Sequence, residues 1–281
     1  MHCHGGVRWI GAEQLVDLGR DRTRESTQLR DTYYDGLAPA NELARRGYVV
    51  MVHDTFSWGS RRFELSAPTF KVETVMRAFD ALWREQGISK TEAERFNVAS
   101  DIHEDSLAKL AGMLNHTLAG AIVSDDLVAL DVLAGLPNVD SRRLGTFGFS
   151  GGGARSLFLA ALDSRITSYV VTCMMSTFAS LFPNFVDAHS WLLNSPGLWN
   201  LRDWPTLSQL ASARSFLVQY RAEDEYFPAK GMRDADSMLG ELDNRRGRYH
   251  RAFHPGGHQF DAEMQNEAWD FFDRTLRGIA T

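Results

Sequence analysis

The chain has 281 residues, 44% of them apolar and 23% charged, a globular balance that excludes disorder as the main state. Thirty basic residues against 36 acidic ones leave a formal charge of −6, which argues against nucleic acid as a partner, because such binders carry an excess of Lys and Arg. Two cysteines, Cys3 and Cys173, cannot build a disulfide framework and suit a reducing, cytoplasmic compartment.

The chain opens on Met1-His2-Cys3-His4-Gly5-Gly6, which reads as the end of a strand. A secretory leader would show a charged start and an apolar stretch, and none is visible. Residues 48–53 are apolar and β-rich, end at Asp54, and predict a buried strand. A helix is expected over 125–136, with Leu127, Leu130 and Leu133 on its apolar face, Ser124 as cap and Pro137 as stop. Then follow a strand over 143–149, an Ala- and Leu-rich helix over 151–162, and a strand over 166–175. The stretch from Ile166 to Val186 lacks charge and is long enough to span a bilayer. Pro183, Asn184 and the β-branched opening favour a buried strand running into a loop instead. Further on come a strand over 215–220, a helix over 230–242, a strand over 249–254 and an amphipathic helix over 261–277. The basic run Arg245, Arg246, Arg248 and Arg251 reads as a solvated turn.

Strands alternating with helices predict an α/β domain with a mostly parallel sheet. Two long segments, about 55–117 and 176–213, interrupt the alternation without linker composition. They read as lid-like insertions in one domain covering residues 1–281.

Gly148-Phe149-Ser150-Gly151-Gly152 is a G-x-S-x-G pattern between a predicted strand and a predicted helix. A strand turning sharply into a helix strains the middle residue and needs glycines where its two arms approach. The Ser150 hydroxyl would stand over the positive end of the helix dipole, with the Gly151 N–H aimed at a developing oxyanion. A phosphate loop is disfavoured because no Lys-Ser/Thr follows the glycines, and a dinucleotide loop because Ser150 replaces its second Gly.

A serine hydroxyl needs a base, and in this strand–turn–helix context the partners follow in the order Ser, Asp/Glu, His. His258, in the flexible Pro255-Gly256-Gly257-His258 loop, is the expected base, with His254 the alternative. Among Glu223, Asp224 and Glu225, Asp224 is the expected acid and the other two are expected to face water. Gly6 is the expected second oxyanion donor, with Val7 next, because adjacent glycines let backbone approach a substrate. His2-x-His4 invites a metal reading, but no further clustered ligands follow, so no metal is expected and chelation should leave activity unchanged.

At these residues the sequence resembles the α/β-hydrolase superfamily, in particular its dienelactone-hydrolase-like and acetyl xylan esterase-like branch. The resemblance runs through nearly the whole chain. It includes the His-x-His-Gly-Gly opening, Leu43–Val50 leading to Asp54 and Trp58-Gly59-x-Arg61, Asp224-x-x-x-Pro228, and Gly257-His258 with Phe260. It implies hydrolysis of carboxylic esters of small or carbohydrate-linked acyl groups without a cofactor. Two positions depart from the pattern: Arg221 stands where Gly is usual before the acid, and Ser150 replaces the cysteine of true dienelactone hydrolases.

A peptidase or amidase on the same triad and a non-catalytic binding protein are the competing readings. Trp58, Trp191, Trp199 and Trp204 lie in the insertions and suit an acyl or sugar pocket or ordinary lid core. Arg61 and Arg62 suit an acidic substrate or salt bridges. The expected partner is a small-molecule ester, with no nucleic acid and no membrane, and a homo-oligomer is left open. By resemblance, the strand ending at His4 is central in the sheet, flanked by 48–53 and 143–149. A central strand normally runs about 5–6 residues. The expectation is therefore that the natural chain extends upstream of Met1, or that a partner subunit adds the missing strand.

Overall fold

A computed structural model describes residues 1–2, 5–19, 22–64 and 66–279. The first half is helical: α1 Arg24–Tyr33, α2 Pro39–Arg45, α3 Phe70–Glu85, α4 Glu92–Met113 and α5 Leu118–Ala134. Local chemistry sets the starts. Thr23 with Ser26 and Thr91 with Glu94 form capping boxes at α1 and α4, α2 opens on Pro39, and the Thr117 hydroxyl accepts from Gly120 N at α5. Helix α5 thus begins seven residues before the expected position, and Ser124 lies inside it rather than capping it. Its first turns are held by burial of Ala119, Ile122 and Val123.

The sheet comprises β1 Leu144–Phe149, β2 Ile166–Thr172, β3 Ser215–Arg221 and β4 Tyr249–His254, ordered β1-β2-β3-β4 and parallel throughout. Helix α6 Gly151–Leu162 joins β1 to β2. Three short helices, α7 Phe178–Leu181, α8 Leu198–Leu201 and α9 Trp204–Leu207, lie between β2 and β3. Helix α10 Ala229–Asp243 leads to β4, and α11 Ala262–Phe272 runs into a π-helical turn Asp273–Arg277.

The strand period of two divides the core between the two faces of the sheet. Tyr169, Val171, Phe216 and Val218 pack on one side with α6 and α10 residues such as Leu157 and Leu239. Phe147, Phe149, Val170 and Leu217 pack on the other with Phe260, Trp269 and Phe272. Because both faces of β2 and β3 are covered, nearly every residue of these strands is buried, including polar ones such as Ser168 and Gln219.

Residues 48–53 are not a strand. They are mostly half-buried, with Val49 exposed. A ladder needs backbone on the neighbouring strand, and the described contact is made by residue 1: the Met1 ammonium donates to Met51 O at 2.8 Å. On its other side His2 N donates to Phe147 O at 3.1 Å, a single parallel bridge with Gly148. The expected strand end at Cys3 and His4 lies outside the described residues. Among the described residues, no helix is long and apolar enough to cross a membrane.

Candidate active site

Ser150 sits between β1 and α6 with φ 55° and ψ −127°, a positive-φ conformation that costs a non-glycine residue strain. The turn is over-determined by its neighbours. Ser150 N donates to Thr172 O at 2.8 Å, and Gly153 N donates to Ser150 O at 2.7 Å. A Cβ on Gly148 would stand 1.8 Å from Gly152 O, so the strand end and the helix start touch through bare backbone.

Asp224 lies in the turn after β3, buried with His258. Its Oδ1 accepts from the backbone N–H groups of Tyr226 at 2.9 Å and Phe227 at 3.2 Å, which leaves Oδ2 for the histidine. His258 Nδ1 donates to that Oδ2 at 2.7 Å, so the imidazole lone pair is on Nε2. The ring is wedged between Phe149, 4.7 Å away centroid to centroid, and Tyr226 at 4.9 Å. Pro228 caps α10 behind the acid turn. Glu223 and Glu225 are exposed, as expected, yet each also holds the histidine loop: Gly256 N donates to Glu223, and His258 N donates to Glu225 Oε2 at 3.0 Å. His254 bonds Glu267 Oε2 at 3.0 Å, on α11.

Ser150, Gly151, His258, Gly5 and Gly6 share the wall of one cavity of about 920 Å³. Gly5 N comes within 3.6 Å of where a Cβ on Gly151 would stand, so the N-terminal glycines face the start of α6. Gly6 has φ 89°, open only to glycine at low cost. Val7 packs against the core instead of the cavity.

The two insertions meet over this cavity. Glu104 of α4 accepts from Ser190 Oγ at 2.8 Å, Trp191 N at 3.1 Å and Arg8 Nη2 at 3.3 Å, and Asp105 accepts from Trp191 Nε1 at 2.8 Å. Trp191 and Trp199 line the cavity. Trp58 does not: it is buried in the core beneath Gly5, with the Arg8 guanidinium 5.7 Å from its ring. Trp204 is likewise core. Arg61 is also absent from the cavity wall, because it pairs with Asp125 at 2.6 Å, and Arg62 stacks on Trp9 at 4.1 Å. Sequence reasoning missed Arg8, Tyr33, His189 and Tyr226 on the wall, which come from the end of α1 and three separate loops with no shared motif. Burial lowers the His189 pKa to about 4, and its Nε2 donates to Tyr226 O at 3.0 Å.

Two groups bring metal-ligand types together. Cys173, buried, adjoins the Asp224–His258 pair described above, with ligand atoms within 4.8 Å of one another. His2, His53 and Asp126 place ligand atoms within 4.8 Å of one another, but the Arg155 guanidinium forks onto the Asp126 carboxylate, where a cation would have to sit. His4, the other half of the His-x-His pair, lies outside the described residues.

Compared with known proteins, the chain matches no family model. It is 23% identical over 279 residues to the Bacillus subtilis (strain 168) protein named "Putative hydrolase YtaP", covering 98% of this chain and 77% of that one. Among solved structures it is similar to a glucuronoyl esterase from Solibacter usitatus, with TM-score 0.45 and 15% identity over 56% of this chain and 48% of that one. It is also similar to acetyl xylan esterase 1 from Thermoanaerobacterium sp. JW/SL YS485, with TM-score 0.42 and 18% identity over 56% and 53% of the two chains. The chain therefore spans about half the length of these two esterases. Its own geometry is that of the α/β-hydrolase fold: a parallel sheet flanked by helices, a serine on the strand-to-helix turn, and an acid and a histidine at later strand ends.

Proposed function

We propose that the protein is a serine hydrolase of carboxylic esters, with Ser150 as nucleophile, His258 as general base and Asp224 as its orienting acid. The observation that carries this reading is the strained Ser150 turn opening into the same cavity as a His258 whose Nδ1 is held by a buried Asp224. An ordinary Gly-rich turn has no need of that strain.

In this mechanism His258 Nε2 takes the Ser150 proton as the hydroxyl oxygen attacks the ester carbonyl. Asp224 fixes the tautomer and stabilises the imidazolium without itself taking the proton. The oxyanion rests on the Gly151 N–H and on the Gly6 N–H, each such donor being worth about 3 kcal/mol of barrier. The alcohol leaves with the proton from His258, and water then releases the acid by the reverse sequence. No step needs a cofactor. Trp191, on the cavity wall, would contact the acyl or alcohol part, and small or carbohydrate-linked acyl groups suit the cavity's size and mixed aromatic and polar lining.

The test is fluorophosphonate labelling alongside turnover of p-nitrophenyl acetate and an aminoacyl anilide. The expected result is label on Ser150 and ester turnover that Ser150→Ala reduces below about a thousandth, since loss of a triad member costs on the order of a million-fold. Preference for the anilide would make the protein an amidase. Absence of label would make it a binding module.

A further inference from the structure

Arg221, where the resembled proteins usually carry Gly, is the last residue of β3 and directly precedes the acid turn. Its side chain is buried. Nε donates to Gln259 O at 3.3 Å, Nη1 donates to Pro255 O, and Nη2 donates to the Asp261 carboxylate. Those acceptors bracket His258 on both sides in the chain. The backbones of the two loops add further bonds, Ala222 N to His254 O at 2.9 Å and Glu223 N to Gly256 O at 3.2 Å. Asp261 uses its other oxygen to cap α11 through Met264 N, so the clamp ends on a fixed helix start.

The His258 loop begins Pro255-Gly256-Gly257, and paired glycines leave a backbone with the most freedom to move. We propose that Arg221 is a positioning residue for His258: one buried, planar guanidinium fixes three points of the loop against the strand that carries Asp224. This inference rests on the serine-hydrolase reading above. A guanidinium suits the task because its donors form a rigid fork, whereas a lysine ammonium is a point charge on a flexible stem. The Nη1 group also lies 3.4 Å from where a Cβ on Gly256 would stand, so clamp and glycine fit each other. The usual Gly would leave this space for other loop geometry, and its replacement explains how the acid turn keeps its place despite the departure.

The experiment compares Arg221→Met, Arg221→Lys and Arg221→Ala in the full chain, with steady-state turnover of p-nitrophenyl acetate and circular dichroism. Displacement of a reacting group by about an ångström costs on the order of 100-fold, so kcat of Arg221→Met is expected to fall by that order with KM unchanged. Arg221→Lys should fall nearly as far, because charge alone does not make the clamp. Added guanidinium should restore part of the Arg221→Ala rate, while sodium chloride at equal ionic strength should not. A merely structural role would give neither a kcat-only loss nor this rescue. A folded Arg221→Met with the parent kcat overturns the proposal, as does an Arg221→Lys that keeps full activity. If Arg221→Met does not fold, failure of guanidinium to rescue Arg221→Ala overturns it. Ser150→Ala in the same assay separates the two readings: if it retains turnover, the hydrolase reading fails and takes this proposal with it. If only the Arg221 variants behave as the parent, this proposal fails alone.

Discussion

Gly148→Ala tests the tightness of the serine turn. The added methyl carbon would stand 1.8 Å from Gly152 O, 2.0 Å from its carbonyl carbon and 2.6 Å from Gly153 N. All three are backbone atoms in the first turn of α6, so no side chain can rotate away. Ordinary contact begins near 3.4 Å, so strand end and helix start must part by more than an ångström. Overpacking costs typically about 1–3 kcal/mol, and displaced backbone puts this case at about 3 kcal/mol or above. With an unfolding entropy of about 2.1 cal/mol/K per residue, the melting temperature should drop by about 5 °C. Ser150 would lose its position as well, and its fluorophosphonate labelling rate should fall on the order of 100-fold. Gly112→Ala is the control: it lies in α4 with nothing within 4 Å of its Cβ position, and should stabilise by up to about 1 kcal/mol. Thermal melts and labelling rates read both effects. A Gly148→Ala protein that melts and labels like its parent would refute the claim that bare backbone contact holds the turn.

Asp224→Asn should lower ester turnover by about 10⁴-fold, by favouring the wrong imidazole tautomer, with Glu225→Gln costing far less; the reverse order in a kcat comparison would reassign the acid. Burial lowers the pKa of His189 to about 4 and of His2 to about 3 from an ordinary 6.5, so the unfolded chain binds more protons in that window. Stability should therefore be complete above pH 6.5 and decline as pH falls towards 4. The slope is at most about 1.4 kcal/mol per pH unit for each group. Melting temperature against pH checks this, and a profile that His189→Gln leaves equally steep would remove His189 from the account. Arg155→Met should cost about 3–5 kcal/mol in urea denaturation, because it leaves the fully buried Asp126 carboxylate without its guanidinium.

The C-terminal half of the fold was legible because its signals are local. Gly151–Leu162 and Tyr249–His254 have the expected bounds, since a glycine turn and a β-rich run mark their ends. Asp224 and His258 could be located because strand ends constrain which loop meets which. The N-terminal half was less legible. Residues 48–53 have strand composition, but a strand is made by its neighbour, and composition does not report the neighbour. Helix α4 was hidden inside a segment read as a single insertion, although Thr91 and Glu94 carry a capping-box spacing that marks its start. For Trp58 and Arg61, residue chemistry alone left substrate contact open beside core packing and a salt bridge. Their partners, Arg8 and Asp125, are distant in the chain, and only the folded structure brings them together.

The sheet order also bears on how the chain folds. Each of β1, β2 and β3 pairs with the strand that follows it in sequence, so the sheet can zip together through closures shorter than those of the N-terminal segment. The N-terminal segment closes far longer loops: Gln265 bonds Tyr34 O across 231 residues, and His2 N reaches Phe147 O. Loop-closure entropy therefore favours a route with the C-terminal sheet early and the first sixty residues late. Until they dock, the face formed by Phe147, Phe149 and Trp269 lies open to water and to other unfinished chains. The serine turn, Asp224 and His258 all belong to the early part, while Gly5 and Gly6 arrive with the late one. Along this route the Ser150 turn is built before the cavity wall that faces it.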